Sequence, residues 1–207
     1  MKGIQAAAVI LLLTACAGES PDQHDAGATP ATPVDNETAP TAGLDRAEAA
    51  ISDFGTRLRS ALQVRLRAHG PLDAVDFCYS EAPAIAAAVM AEHGVRMGRT
   101  SSRVRNPTNT PNDWQAKVLS GFAANADAGQ LPEAQRAVLV DDLPDGVALR
   151  LMKGIRVEAP CLLCHGGPPD PVLAQALAQR YPNDTAIGYA EGELRGAFWV
   201  EVASDTE

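Results

Sequence analysis

Residues 161–165 read Cys-Leu-Leu-Cys-His, inside the stretch EAPCLLCHGGPPD. No other short segment restricts the chain as strongly. Two thiols separated by two residues can add to the two vinyl groups of one haem, and the histidine that follows is then placed under the ring to bind iron. Cys161 and Cys164 are therefore read as a thioether-forming pair and His165 as an axial ligand. Three other chemistries use such cysteines. A dithiol redox pair expects a thioredoxin-like βαβ pattern around it, and none is present. A structural zinc ion wants four protein ligands, commonly from two paired clusters. Here only Cys161, Cys164, His165 and Cys78 are on offer, without a second pair. A disulfide between Cys161 and Cys164 leaves His165 without a purpose.

The N-terminus reads as an export signal. Lys2 is followed by a short apolar run from Ile4 to Leu13, broken by Gln5. That run falls short of the roughly 20 apolar residues that a membrane span needs. It closes on Leu-Thr-Ala-Cys at 13–16, which resembles a bacterial lipobox. The lipobox implies cleavage after residue 15 and a lipid on Cys16. Ala17, where an Asp would favour the inner membrane, points to the outer membrane. The expected location is the periplasm, with the protein held to a membrane through Cys16. Export fits the haem reading, because c-type attachment takes place outside the bacterial cytoplasm. Residues 16–43 are rich in Pro, Ala, Thr, Gly and acids, with almost no large apolar side chain. Such a segment cannot bury enough surface to offset its ordering entropy, so it is read as a disordered tether.

The folded part is expected over 44–204 as one domain. Leu44, Ala47, Ile51, Phe54, Leu58, Leu62 and Leu66 recur at helical spacing, and Gly70-Pro71 ends that helix. A second helix runs from Pro71 through Cys78, and a third, capped by Ser80, runs to Gly94. Residues 95–100 alternate like a strand. Asp113 can cap a helix carrying Trp114, Val118, Leu119 and Phe122. Residues 136–157 read as two strands joined at Pro144-Asp145-Gly146, Asp170-Pro171 opens a further helix, and 196–203 form a last strand. Helices first and antiparallel strands later make the class α+β. The net charge of -9 argues against nucleic acid as a partner.

Four cysteines, less Cys16 and the thioether pair, leave Cys78 alone. A lone thiol in an oxidising compartment is a liability unless it is buried or ligated. The second axial position of the iron could go to Cys78, His69, His93, Met90, Met97 or Met152, and composition does not choose among them.

Four blocks together resemble the single-haem c-type domains with a PAS-like fold, which occur as free periplasmic proteins and as the sensory end of histidine kinases. The blocks are FCYSEAPAIA (77–86), GRTSSRVRNPTNTPNDW (98–114), CLLCHG (161–166) and YPNDTAIGYAEGELRGAFWV (181–200). The resemblance implies N-terminal helices followed by a PAS-like antiparallel sheet carrying one covalent haem c. It implies Cys78 as the axial ligand opposite His165. Arg99, Ser101, Arg105 and Asn106 would line the haem pocket or brace the chain, and arginines there can pair with haem propionates. Tyr181, Pro182 and Asp184, and then Gly192, Arg195 and Gly196, would pin turns. One departure is Glu193, where the family more often has Asp.

With both axial positions filled, oxygen activation is disfavoured, and no catalytic triad or phosphate loop is visible, so the expectation is a non-enzyme. Two uses follow: low-potential electron transfer, or redox or gas sensing through a separate partner protein. The alternative is a lipid-anchored metal- or thiol-binding module without haem.

Overall fold

The computed structural model describes residues 38–204. The stretch read as an export signal, Cys16 and most of the expected tether lie outside the described residues. Six helices and four strands follow in the order α1 (Thr38–His69), α2 (Pro71–Ser80), α3 (Ala82–His93), β1 (Val95–Thr100), α4 (Asp113–Asp127), β2 (Arg136–Leu139), β3 (Val147–Arg156), α5 (Leu162–His165), α6 (Pro171–Arg180) and β4 (Leu194–Ala203). The α+β class stands. The sheet is fully antiparallel with strand order β1-β4-β3-β2, so the last strand is a central one.

Alternation along the strands gives the sheet two faces. Leu149 and Leu151 of β3, Val200 and Val202 of β4, and Val95 and Met97 of β1 face α1 and α3, meeting Ala47, Ala50, Ile51, Phe54 and Val89. The small Ala47 and Ala50 let α1 lie close to the sheet, and Phe54 meets Phe198 edge to face at 5.8 Å. On the opposite face Met152 and Ala197 pack under Leu119 and Phe122 of α4, with Trp114 and Trp199 alongside. Arg150 and Glu201 also lie there. Their ion pair is 2.9 Å long and the two side chains are only 14% and 9% exposed, with the Arg150 guanidinium 4.7 Å from the Trp114 ring.

Local signals explain most boundaries, with some shifts. α1 starts at Thr38, inside the segment expected to be tether. Pro40 then falls in the first turn, where the missing N–H costs nothing. Ser80 does not cap α3. It is the last residue of α2 and donates to the Asp76 carbonyl one turn back, while Glu81 holds the cap position. Asn112, not Asp113, caps α4, in a reciprocal capping box with Gln115. Asp170 caps α6 as expected, accepting from the Val172 N–H. β4 begins two residues earlier than the alternation suggests. Among the described residues no single helix is long and apolar enough to cross a membrane.

Ion pairs fasten α1 to its neighbours. Arg57 bonds Asp53 in its own helix and Glu92 in α3, and His93 is 3.0 Å from Asp53. The His93 hydrogen bond above all holds the Asp53 carboxyl below its ordinary value of 3.8; burial works against it, and Arg57 adds a further downward pull. A depressed carboxylate contributes stability that is complete above the ordinary value and is lost as pH falls through the folded one. Urea midpoints of the wild type should therefore fall more steeply below about pH 4 than those of Asp53→Asn. A second prediction concerns Gly154, whose added Cβ would overlap the Pro132 carbonyl oxygen. Gly154→Ala should cost about 1–3 kcal/mol in urea unfolding, because backbone must shift to admit it.

Candidate functional site

The cysteine motif lies outside the sheet, on a short turn held by three other segments. A 3-10 turn at Ala159–Cys161 leads into the single turn of α5, which closes when the Gly166 N–H donates to the Leu162 carbonyl at 3.0 Å. Gly166 is buried, and a Cβ there would sit 2.6 Å from that same carbonyl oxygen, which explains the glycine after the histidine. Residues 186–189 then run beside the motif. The Tyr189 N–H donates to the His165 carbonyl at 2.9 Å, and the Gly188 N–H donates to the Gly166 carbonyl at 2.6 Å.

His165 is fixed by this neighbour. Its Nδ1 donates to the Ala186 carbonyl at 2.7 Å. That assigns the proton to Nδ1 and leaves the Nε2 lone pair free. Tyr189 braces the ring edge to face, with centroids 6.4 Å apart. Burial pushes the His165 pKa down to about 3, helped by Arg195, Arg105 and Arg99 and opposed by the Ala186 bond. The imidazole is therefore a neutral donor across the physiological range.

Arg105 ties the motif to the rest. It bonds Asp184 Oδ2 at 2.8 Å, with both side chains 11% exposed, and donates to the Cys164 carbonyl and, at 3.3 Å, to the Ala186 carbonyl. Asp184 in turn accepts from the Ala186 N–H, and the Thr185 N–H donates to the Val104 carbonyl.

The two motif cysteines lie against different apolar clusters. Cys164 packs with Val75, Leu173, Leu177 and Tyr181, while Cys161 packs with Val157, Ala186 and Tyr189. Cys78 is three residues after Val75 on α2, so the two share a helix face. This turns Cys78 toward the motif, within electrostatic reach of Cys164, Arg99 and Arg105. Burial raises the Cys78 thiol pKa, and Arg99 pulls it back down. Tyr181 is held up at about 12 by burial first and then by Cys78. Cys78, Cys161 and Cys164 are all free thiols.

The structure thus brings Cys78, Cys161, Cys164, His165, Arg99 and Arg105 together. Asn106 is placed differently, its side-chain oxygen accepting from the Thr108 N–H to cap the 3-10 turn Pro107–Asn109. The sequence reading did not single out Tyr189, which supports His165, or Gly166. It gave Arg195 only a turn-pinning role, whereas the structure turns that side chain to the site. Gly192, at a φ of 91°, does serve its turn, its N–H donating to the Val157 carbonyl.

Comparison with known proteins adds two findings. The solved crystal structure of the cyanobacterial heme-protein Tll0287 superimposes with a TM-score of 0.52 at 21% identity, over 86% of this chain and 99% of that one. That likeness shows a shared fold. No curated protein gives a significant match. The family model described as Tll0287-like matches residues 36–203, and so takes in every element described above. The chain belongs to the Tll0287-like family.

Proposed function

We propose that this chain is an exported, lipid-anchored mono-haem c-type cytochrome. Cys161 and Cys164 would hold the haem covalently, and His165 and Cys78 would ligate its iron. The observation that carries the reading is the state of His165. It shares one helical turn with two free thiols, is neutral, and is locked by Ala186 in the tautomer that offers Nε2. The family relationship and the shared fold with a heme-protein support it.

The donor set fits a haem better than a bare ion. Among the described residues no three His, Cys, Asp or Glu side chains converge closely enough to hold a metal ion. Zinc would need three or four such groups together. A porphyrin supplies four nitrogens itself and asks the protein only for two axial atoms and two thioethers.

When bound, the haem supplies a one-electron couple. The residues described here set its surroundings. His165 would donate its Nε2 lone pair to the iron, and Ala186 and Tyr189 keep its ring from turning. Cys78, bound as a thiolate, would donate strongly, favour the ferric state and lower the potential relative to a methionine ligand. The role would be low-potential electron transfer or redox or gas sensing. A lipid at Cys16 would hold the protein to the periplasmic face of the outer membrane, and the redox or signalling partner is a separate protein.

Expression in cells competent for cytochrome maturation should give a red protein whose mass includes one haem that survives acid and solvent extraction. A colourless preparation of unmodified mass would overturn the reading. Cys78→Ser should keep the covalent haem, lose the thiolate-type low-spin EPR signal and show a higher reduction potential. Rapid CO or NO binding to the reduced wild type would favour sensing, and indifference to both would favour electron transfer. Arg105→Ala should cost about 2–4 kcal/mol in denaturant unfolding, since it strands Asp184 and two carbonyls in a largely buried bracket.

A further inference from the structure

An arginine taken out of water without a carboxylate is costly unless an anion arrives from elsewhere. Two arginines of the site are in this position. Among the described residues neither Arg99 nor Arg195 has a carboxylate partner, although thirteen ion pairs are formed elsewhere, including Arg105 with Asp184. Arg99 rests with its guanidinium 5.8 Å from the Phe54 ring centre. Arg195 donates to Ser101 Oγ at 3.1 Å and to the Arg103 carbonyl at 3.2 Å, and lies 5.1 Å from the Tyr189 ring centre. Both are partly buried, and both act electrostatically on His165.

The backbone shows why Arg195 points there. In the β3–β4 ladder Ile155 pairs with Gly196 and Arg156 with Leu194, so Arg195 is the extra residue of a bulge. A bulge redirects the side chain that it carries. Gly196 makes room for it with a φ of 146° and a backbone so close to the Thr100 carbonyl that a Cβ could not fit.

The charges set the ligand. Three guanidiniums against the one carboxylate of Asp184 leave two positive charges uncompensated around His165. Ferric iron, a porphyrin dianion and one thiolate sum to zero. The remaining charge of such a haem is that of its two propionates. We propose, on the strength of the haem reading above, that Arg99 and Arg195 are the anchors of those two propionates. Arg105 is committed to the bracket. By holding the propionates ionised, the two arginines make the iron's potential insensitive to pH near neutrality.

The test uses the haem-loaded protein and a potential measured by redox titration from pH 5 to 8. The wild type should give a flat profile. Arg195→Gln and Arg99→Gln should each give a potential that falls as pH rises, because a released propionate now titrates and binds its proton more tightly when the iron is reduced. At pH 8 each should shift the ferric-to-ferrous ratio about tenfold toward ferric, equivalent to about 59 mV for a one-electron couple. Arg195→Lys should restore most of the flatness. Ser101→Ala, which removes a hydrogen bond to Arg195 but no charge, should lower stability and leave the profile flat. If Arg195→Gln fails to fold, Arg99→Gln and Arg195→Lys still decide the matter. Profiles of the Gln variants that superimpose on the wild type overturn the proposal and leave the haem reading intact. A wild type without covalent haem in its mass spectrum overturns both.

Discussion

The Arg105 guanidinium joins pieces of chain that are distant in sequence. It bonds Asp184 and the carbonyls of Cys164 and Ala186, from residues 59 to 81 positions away. It adds a side-chain clamp to the backbone bonds that already run from Thr185 to Val104 and from residues 188 and 189 to the cysteine turn, which has no strand or long helix of its own. The bond from His165 to Ala186 depends on that arrangement. The position of Cys78 is set separately, by α2 packing on α6 through Val75, Leu173 and Leu177. Asp184 makes the bracket affordable: a guanidinium and a carboxylate that are both largely buried cost far less together than either does alone.

The sheet and the helices on its two faces form the platform, and the cysteine motif lies outside it. The core is made of aliphatic alternation on β1, β3 and β4 and a stripe of small and apolar residues on α1. None of the motif residues belongs to these two clusters. The site instead has its own small clusters, one around Cys164 and one around Cys161. The two motif cysteines thus pack against different apolar surroundings.

Electrostatics separates the two ends of the molecule. On the α4 face of the sheet, the buried Glu201 is met by Arg150 and Arg96, and the charges are matched inside the protein. At the motif the arginines outnumber the acids. The chain is acidic overall, with 26 Asp and Glu against 17 Lys and Arg, so a local excess of guanidinium is set against the general balance. It has a physical consequence in the neutral His165, whose protonation is opposed by burial and by all three arginines.

Much of this was legible in the residue order. Helical spacing from Leu44 to Leu66, Gly70-Pro71 as a stop, the hairpin around Pro144-Asp145-Gly146 and the Asp170 cap are local signals, and local chemistry decides them. The spacing of Cys161, Cys164 and His165 is equally local, because three side chains within one turn are brought together without tertiary information. What the order could not decide was which side chains from elsewhere meet that turn. Asn106, drawn from the same block as Arg105, is occupied in capping a 3-10 turn, while Arg195 is turned into the site by a bulge that exists only where β3 pairs with β4. The partner of a buried charge, the direction of a bulged residue and the packing of α2 against α6 are set by contacts between segments far apart in the chain, and pairings at that range leave no period in the sequence.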